Sequence, residues 1–498
     1  MRAALLGAFL VVACGGSTIA PTPRPTPAPL APLEAITSHG ALVFHVRVAP
    51  LANLAYQLDC LSDTVPCSKI AFSELWHAGW TKADDDALAV WRSMRQKYGG
   101  SLSLSESSHR LSYGSRMRAA SLLSASVDDY ARWLDVLTRP ADAAKLRTTL
   151  DHFWPRFSAW WTTRGYSIVA VQFPRFAALL GDERVAKLFE LVAHFYSPDL
   201  APSTDISFDL IARPESTEGA THAEADDTHL VLEVRHDDHA EARMTVAAHE
   251  LCHFFFVSRS PTTEHALNDR FTATSDPLGR LALGLMNESL ATLLGNVMVG
   301  RVLIPEETTR RIASENGLYN ERSIDRTAKA LVGGLEALTA GTIDDEAFFT
   351  AYLAAVHAGL GDAPPPSAYL REFLLSYSPA MRVSGERFIR ESKAGSVYSS
   401  EVGSPGAVDD VTRNREFTAV AMLPPDDMKG FQAYAAALGP TVQEALAAEI
   451  KRGVPFIYAV DRPPHAKSYV LVARDNASMD ALADALLARQ ESLQGVMR

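Results

Sequence analysis

Residues 245–257 read TVAAHELCHFFFV. Two histidines, His249 and His253, stand four apart among apolar residues, with Glu250 beside the first. On an α-helix, positions four apart differ by only about 40° in direction, so both imidazoles can meet at one point in space. That spacing suits two ligands of one metal ion. Glu250 projects from the adjacent position and can reach a water molecule at the same point, which makes it a candidate general base. Between Met244 and Val257 the chain has no other Asp, Glu, Lys or Arg. The pattern predicts a buried helix over 241–257, where imidazoles and a carboxylate without partners would be costly.

The third ligand decides the class of site. A metzincin requires glycine three residues after the second histidine and another histidine three further on. Here those positions hold Phe256 and Arg259, which excludes that class. Downstream, residues 281–292 read LALGLMNESLAT within a helix expected over 281–302. Glu288 is an otherwise unexplained charge in that apolar helix, and a role as metal ligand would explain it. A HExxH helix followed by a helix bearing NExxA, here Asn287 to Ala291, resembles the gluzincin metallopeptidases. The resemblance covers about 50 residues and leaves the flanking regions unaddressed. It implies Zn2+ as cofactor, His249, His253 and Glu288 as its ligands, Glu250 as the catalytic base, and a peptide or protein as substrate. Ala291 would let the two helices approach. The resemblance further implies that the strand before the motif helix, 228–234, borders the cleft and pairs with extended peptide. It also implies a Tyr or His that stabilises the oxyanion. Tyr319 and Tyr352 are of the right type, and nothing in the sequence chooses between them. Glu264, His265 and Asp269 are the alternative ligands, in a segment that reads as a polar, proline-containing loop.

Outward from this centre, 205–212 and 228–234 read as strands, and 115–197 as successive amphipathic helices with Trp133, Trp154, Trp160 and Trp161 in their core. His222, His229, His236 and His239, with Asp226, Asp227, Asp237 and Asp238, offer a second metal site. Their polar setting reads instead as a solvated loop whose charges favour the start of the motif helix. Cys252 faces away from the histidines and is expected to pack as a small hydrophobe. More helices are expected over 305–395. After a connection near 396–412, EFTAVAML, FIYAVDR and SYVLVAR read as strands interleaved with helices at 428–451 and 478–490.

At the other end, residues 1–13 form an apolar run too short to span a bilayer, which reads as a signal peptide. Val11-Val12-Ala13-Cys14 resembles a bacterial lipoprotein lipobox, and implies lipidation of Cys14 and a membrane anchor at the cell envelope, facing outside the cytoplasm. The run PTPRPTPAPLAP at 21–32 then reads as an extended spacer. Outside the cytoplasm, Cys60 and Cys67 are expected to form a local disulfide.

Composition bounds the rest. The 498 residues carry 47 Lys+Arg against 59 Asp+Glu, a net charge of −12, so there is no general basic field to attract nucleic acid. The expected fold class is α+β and mostly helical, with a zincin-like catalytic core containing a small sheet and a C-terminal α/β unit. The expected divisions are a signal peptide at 1–13, a linker at 14–38, a mainly helical region at 39–200, the metallopeptidase core at 201–395 and the α/β unit at 413–498. The predicted function is zinc-dependent hydrolysis of peptide bonds. The alternative is a non-catalytic envelope lipoprotein that uses the same fold for binding.

Overall fold

Strand β2, Leu42–Val48, buries Leu42, Phe44, Val46 and Val48 on one face, the period-two pattern of a covered sheet. It forms a hairpin with β1, Leu33–His39, through a tight turn in which Gly40 takes φ +54°. β3, Thr204–Ala212, and β5, His229–Val234, are buried almost throughout, as parallel strands covered on both faces are. β4, Ala223–Asp226, pairs antiparallel with β5 across a turn where Asp227 takes φ 56°. The sheet order is β1-β2-β3-β5-β4, with β2, β3 and β5 mutually parallel.

The computed structural model describes residues 32–65, 67–98, 113–197, 203–214, 221–361, 363–392, 394, 396–402, 404–463 and 466–498. Residues 1–13, Cys14 and nearly all of the Pro-rich run lie outside the described residues. The chain is mostly helical with two small mixed sheets, an α+β fold.

Three expected boundaries move. The end of the segment read as a linker is β1, whose residues alternate between partly buried and exposed. β1 and β2 join β3 and β5, so the sheet crosses the division expected at 200, and one apolar core runs from Leu42 to Ala368. The C-terminal unit begins near Leu370 instead of 413, because its sheet includes β6, Glu372–Tyr377, and β7, Ser396–Glu401. The others are β8, Thr418–Leu423, β9, Phe456–Arg462, β10, Ala466–Val472, and β11, Gly495–Met497, in the order β11-β9-β10-β8-β6-β7. EFLLSY is a short apolar run between helices, and periodicity alone does not separate a buried strand from a buried helical turn.

Among the tryptophans, Trp161 is in the core and Trp154 and Trp160 pack on its margin, but Trp133 is 47% exposed and belongs to no core. Cys60 and Cys67 are disulfide-bonded as expected. The adjoining Ser68 donates its backbone N–H to Glu233 of β5, which ties the disulfide loop to the first sheet.

Asp84, in the helix Lys82–Tyr98, is a buried carboxylate with four donors. It accepts from Thr81 N and Oγ1 at 2.6 and 2.8 Å, and from His152 Nε2 and Arg156 Nη2, each at 2.9 Å. Burial alone would raise its pKa, but these donors win and hold it at about 2. A depressed folded pKa gives stability that is present above the unfolded value and lost as pH falls toward the folded one. Asp84→Asn is therefore expected to cost on the order of 2 kcal/mol at neutral pH. Urea unfolding should show that difference shrinking between about pH 4 and pH 2. A difference independent of pH would refute this role.

Candidate metal centre

The motif helix is Ala240–Val257, and the second helix runs Gly279–Ala291 and continues through a π-helical stretch, Thr292–Val299. The apolar span Gly279–Leu303 is long enough to cross a membrane, but 78% of its apolar window is buried inside the fold, where it serves as a core helix. The two helices touch where Gly295 meets His249: a β-carbon on Gly295 would lie 2.4 Å from His249 N and 2.5 Å from its Cα. Glycine is the residue that permits such a backbone approach. Ala291 was expected to provide this closeness. Ala291 is fully buried in the second helix, but it is Gly295 that makes the approach.

His249 Nε2 and His253 Nε2 lie 3.1 Å apart, and Glu288 Oε2 is 3.5 and 3.6 Å from them. His253 Nδ1 donates to Asn287 Oδ1 at 2.9 Å. With its proton on Nδ1, the ring turns a bare Nε2 lone pair toward the centre. His249, Glu250 and His253 form a group that can hold a metal ion, the one such group found among the described residues.

Charge is arranged unevenly within the group. Burial pushes Glu250 up to about 7, against the smaller opposing pull of His249. Glu288 is also raised by burial, yet His249, His253 and Arg371 outweigh it and hold the carboxyl at about 2. Burial, then the neighbouring His249, lowers His253 to about 4. Burial alone would lower His249 too, but Glu288 and Glu250 reverse the direction and raise it. Glu288 is thus held ionised, while Glu250 is poised to take up a proton near neutral pH.

The strand at Glu250 is β4. Its Ala225 amide faces the Glu250 carboxylate, and it forms the outer edge of the sheet, whereas β5, expected to border the cleft, is interior. AEAD is too short and polar to be recognised as a strand before its partner is known.

Of the two tyrosines, Tyr319 is at the site. Its ring stacks on His249, with centroids 5.9 Å apart and planes at 16°, and its hydroxyl faces Glu288. Burial, then Glu288, keeps that hydroxyl protonated. Tyr352 is fully buried in the core, its hydroxyl shared with Ser289 at 2.8 Å and donated to the Ala282 carbonyl at 3.2 Å, so it is no stabiliser of a reacting group.

The other candidates disperse. Glu264, His265 and Asp269 lie on a helix, Pro261–Ala273, with Pro261 in its favoured first turn, and all three are exposed. His229 is buried in β5 and bonds Asp209 at 2.9 Å, while His236 and His239 are exposed. The four histidines therefore form no group. Cys252 is a buried free cysteine against Tyr196, as expected.

Comparison with models of protein families, with characterised proteins and with solved structures finds no match for this chain. What the site can do follows from its own atoms. Two imidazole nitrogens and a carboxylate oxygen converge with Glu250 close by, a donor set and spacing that one cation can occupy once the nitrogens give up their protons.

Proposed function

We propose that this chain is a zinc-dependent peptidase, with His249, His253 and Glu288 holding the metal and Glu250 serving as general base. The observation that carries the reading is the triangle of ligand atoms, with sides of 3.1, 3.5 and 3.6 Å. Tetrahedral zinc with bonds of about 2.0–2.2 Å separates its ligand atoms by about 3.4 Å, so the donor set fits in both spacing and chemistry. When bound, zinc acts as a Lewis acid on water and on a substrate carbonyl.

The chain's own residues supply the rest. Glu250, facing the Ala225 N–H, takes the proton from the attacking water and delivers it to the leaving amine as the peptide C–N bond breaks. Asn287 keeps His253 in its ligating tautomer. Tyr319, protonated and against His249, is the donor available to the oxygen that gains negative charge. The edge of β4 offers backbone groups to an extended substrate, independent of its sequence.

The proposed setting is the bacterial envelope, through a lipid on Cys14, and the Cys60–Cys67 disulfide suits that oxidising compartment. The zinc-loaded protein incubated with a mixed peptide library should cleave peptides. A chelator should abolish the cleavage, and added zinc should restore it. Cleavage unaffected by chelation would overturn the proposal, and bound zinc with no cleavage of any peptide would favour the binding-protein alternative.

A further inference from the structure

The helix Gly279–Ala291 presents Arg280, Gly284 and Glu288 at every fourth residue, hence along one face. At the outer end of this face, Arg280 pairs with Glu372 and sits 4.3 Å from the centre of the Phe417 ring, both residues of the C-terminal unit. In the middle, Gly284 has no side chain, and a β-carbon there would lie 3.4 Å from the β-carbon of Arg371. At the inner end, Arg371 Nη2 is 3.6 Å from Glu288 Oε1, and its Nη1 donates to Glu321 Oε2 at 3.1 Å. Arg371 is only 7% exposed. It lies between Leu370, part of the C-terminal core, and the first residue of β6.

A carboxylate that ligates through one oxygen is aimed by whatever holds the other. Glu288 turns Oε2 to the imidazoles and Oε1 to a guanidinium, a planar group that stays charged and offers its donors in a fixed fork. That guanidinium comes from the C-terminal unit, and Arg280 docks the same unit onto the same helix. We propose that Arg371 is a positioning residue for Glu288, so that the C-terminal unit completes the metal centre and its docking is coupled to zinc binding. This rests on the zinc-site reading above. Coupling of this kind is reciprocal: docking raises zinc affinity, and zinc strengthens docking.

The test is zinc affinity of the full chain, measured with zinc alone by competition with a chromogenic chelator. Arg371→Met is expected to bind zinc about 10–100-fold more weakly, the usual cost of losing an outer partner of a metal ligand. Arg371→Lys keeps the charge without the fork and should recover part of the loss. Arg280→Met contacts neither imidazole nor Glu288, yet should weaken zinc by a smaller factor through docking. A residue that merely supports folding would lower the melting temperature of these variants without moving zinc affinity. If Arg371→Met does not fold, Arg371→Lys and Arg280→Met carry the comparison. Zinc affinity within about twofold of the parent in the folded Arg371 variants, with affinity lost in Glu288→Ala, overturns this inference alone. Affinity unmoved in Glu288→Ala as well overturns the zinc-site reading and this inference with it.

Discussion

Glu250→Gln is expected to keep its zinc and lose peptide hydrolysis by about 10²–10⁴-fold, the range that a positioned general base contributes. The substitution preserves shape and keeps an oxygen that can face the Ala225 N–H, so the helix and its two imidazoles should stay in place. What it removes is the carboxylate's capacity to hold a proton. Burial brings that capacity close to neutral pH, where a base and an acid are needed in the same turnover. A steady-state assay against any peptide that the parent cleaves, paired with metal analysis, measures both halves. Hydrolysis at the parent's rate in a zinc-loaded Glu250→Gln would remove Glu250 from the mechanism.

Gly295→Val should damage the site from its far side. A β-carbon at 295 falls on the His249 backbone, which has no flexible end to move aside, so the helices must separate. Overpacking of this sort costs about 1–3 kcal/mol, and here the displacement is transmitted straight to His249, a proposed ligand. The variant is expected to melt at lower temperature and to bind zinc much more weakly, with Gly295→Ala affected in the same direction but less. Gly333→Ala is the control, because a β-carbon there meets nothing within 4 Å. Parent-like zinc affinity in Gly295→Val would show that the close approach does not hold His249 in place.

The parts of the site that were legible in the sequence are those fixed by helical geometry. Two histidines four apart must share a face, and a lone carboxylate in an apolar helix must find a partner. The partner of Glu288 proves to be that pair of imidazoles. Features that depend on which elements meet were hidden. Tyr319 and Tyr352 are equivalent as residue types, and only packing sends one to His249 and the other to Ser289. Gly295 reads as one more small residue until a second helix lies against it. Arg371 carries no local signal, since its meaning comes from the unit that follows it. The same holds for the fold. The motif helix and the strands around β3, β5, β8, β9 and β10 announce themselves by period, whereas β1, β4 and β6 become strands through the neighbours that pair with them. The segment holding Glu264, His265 and Asp269 is a helix and not the polar loop its composition suggests, because Pro261 occupies the first turn, where a missing N–H costs nothing.

Whether two imidazoles and one carboxylate hold a single zinc is read from X-ray absorption at the zinc edge, on the purified full chain loaded with one equivalent. One tightly held zinc per chain is expected, with a shell of nitrogen and oxygen neighbours at about 2.0–2.2 Å and the outer-shell scattering of two imidazoles. In Glu288→Ala an oxygen neighbour should be lost or replaced, with the imidazole signature kept. Failure to retain zinc, or a shell with no imidazole contribution, would contradict that arrangement.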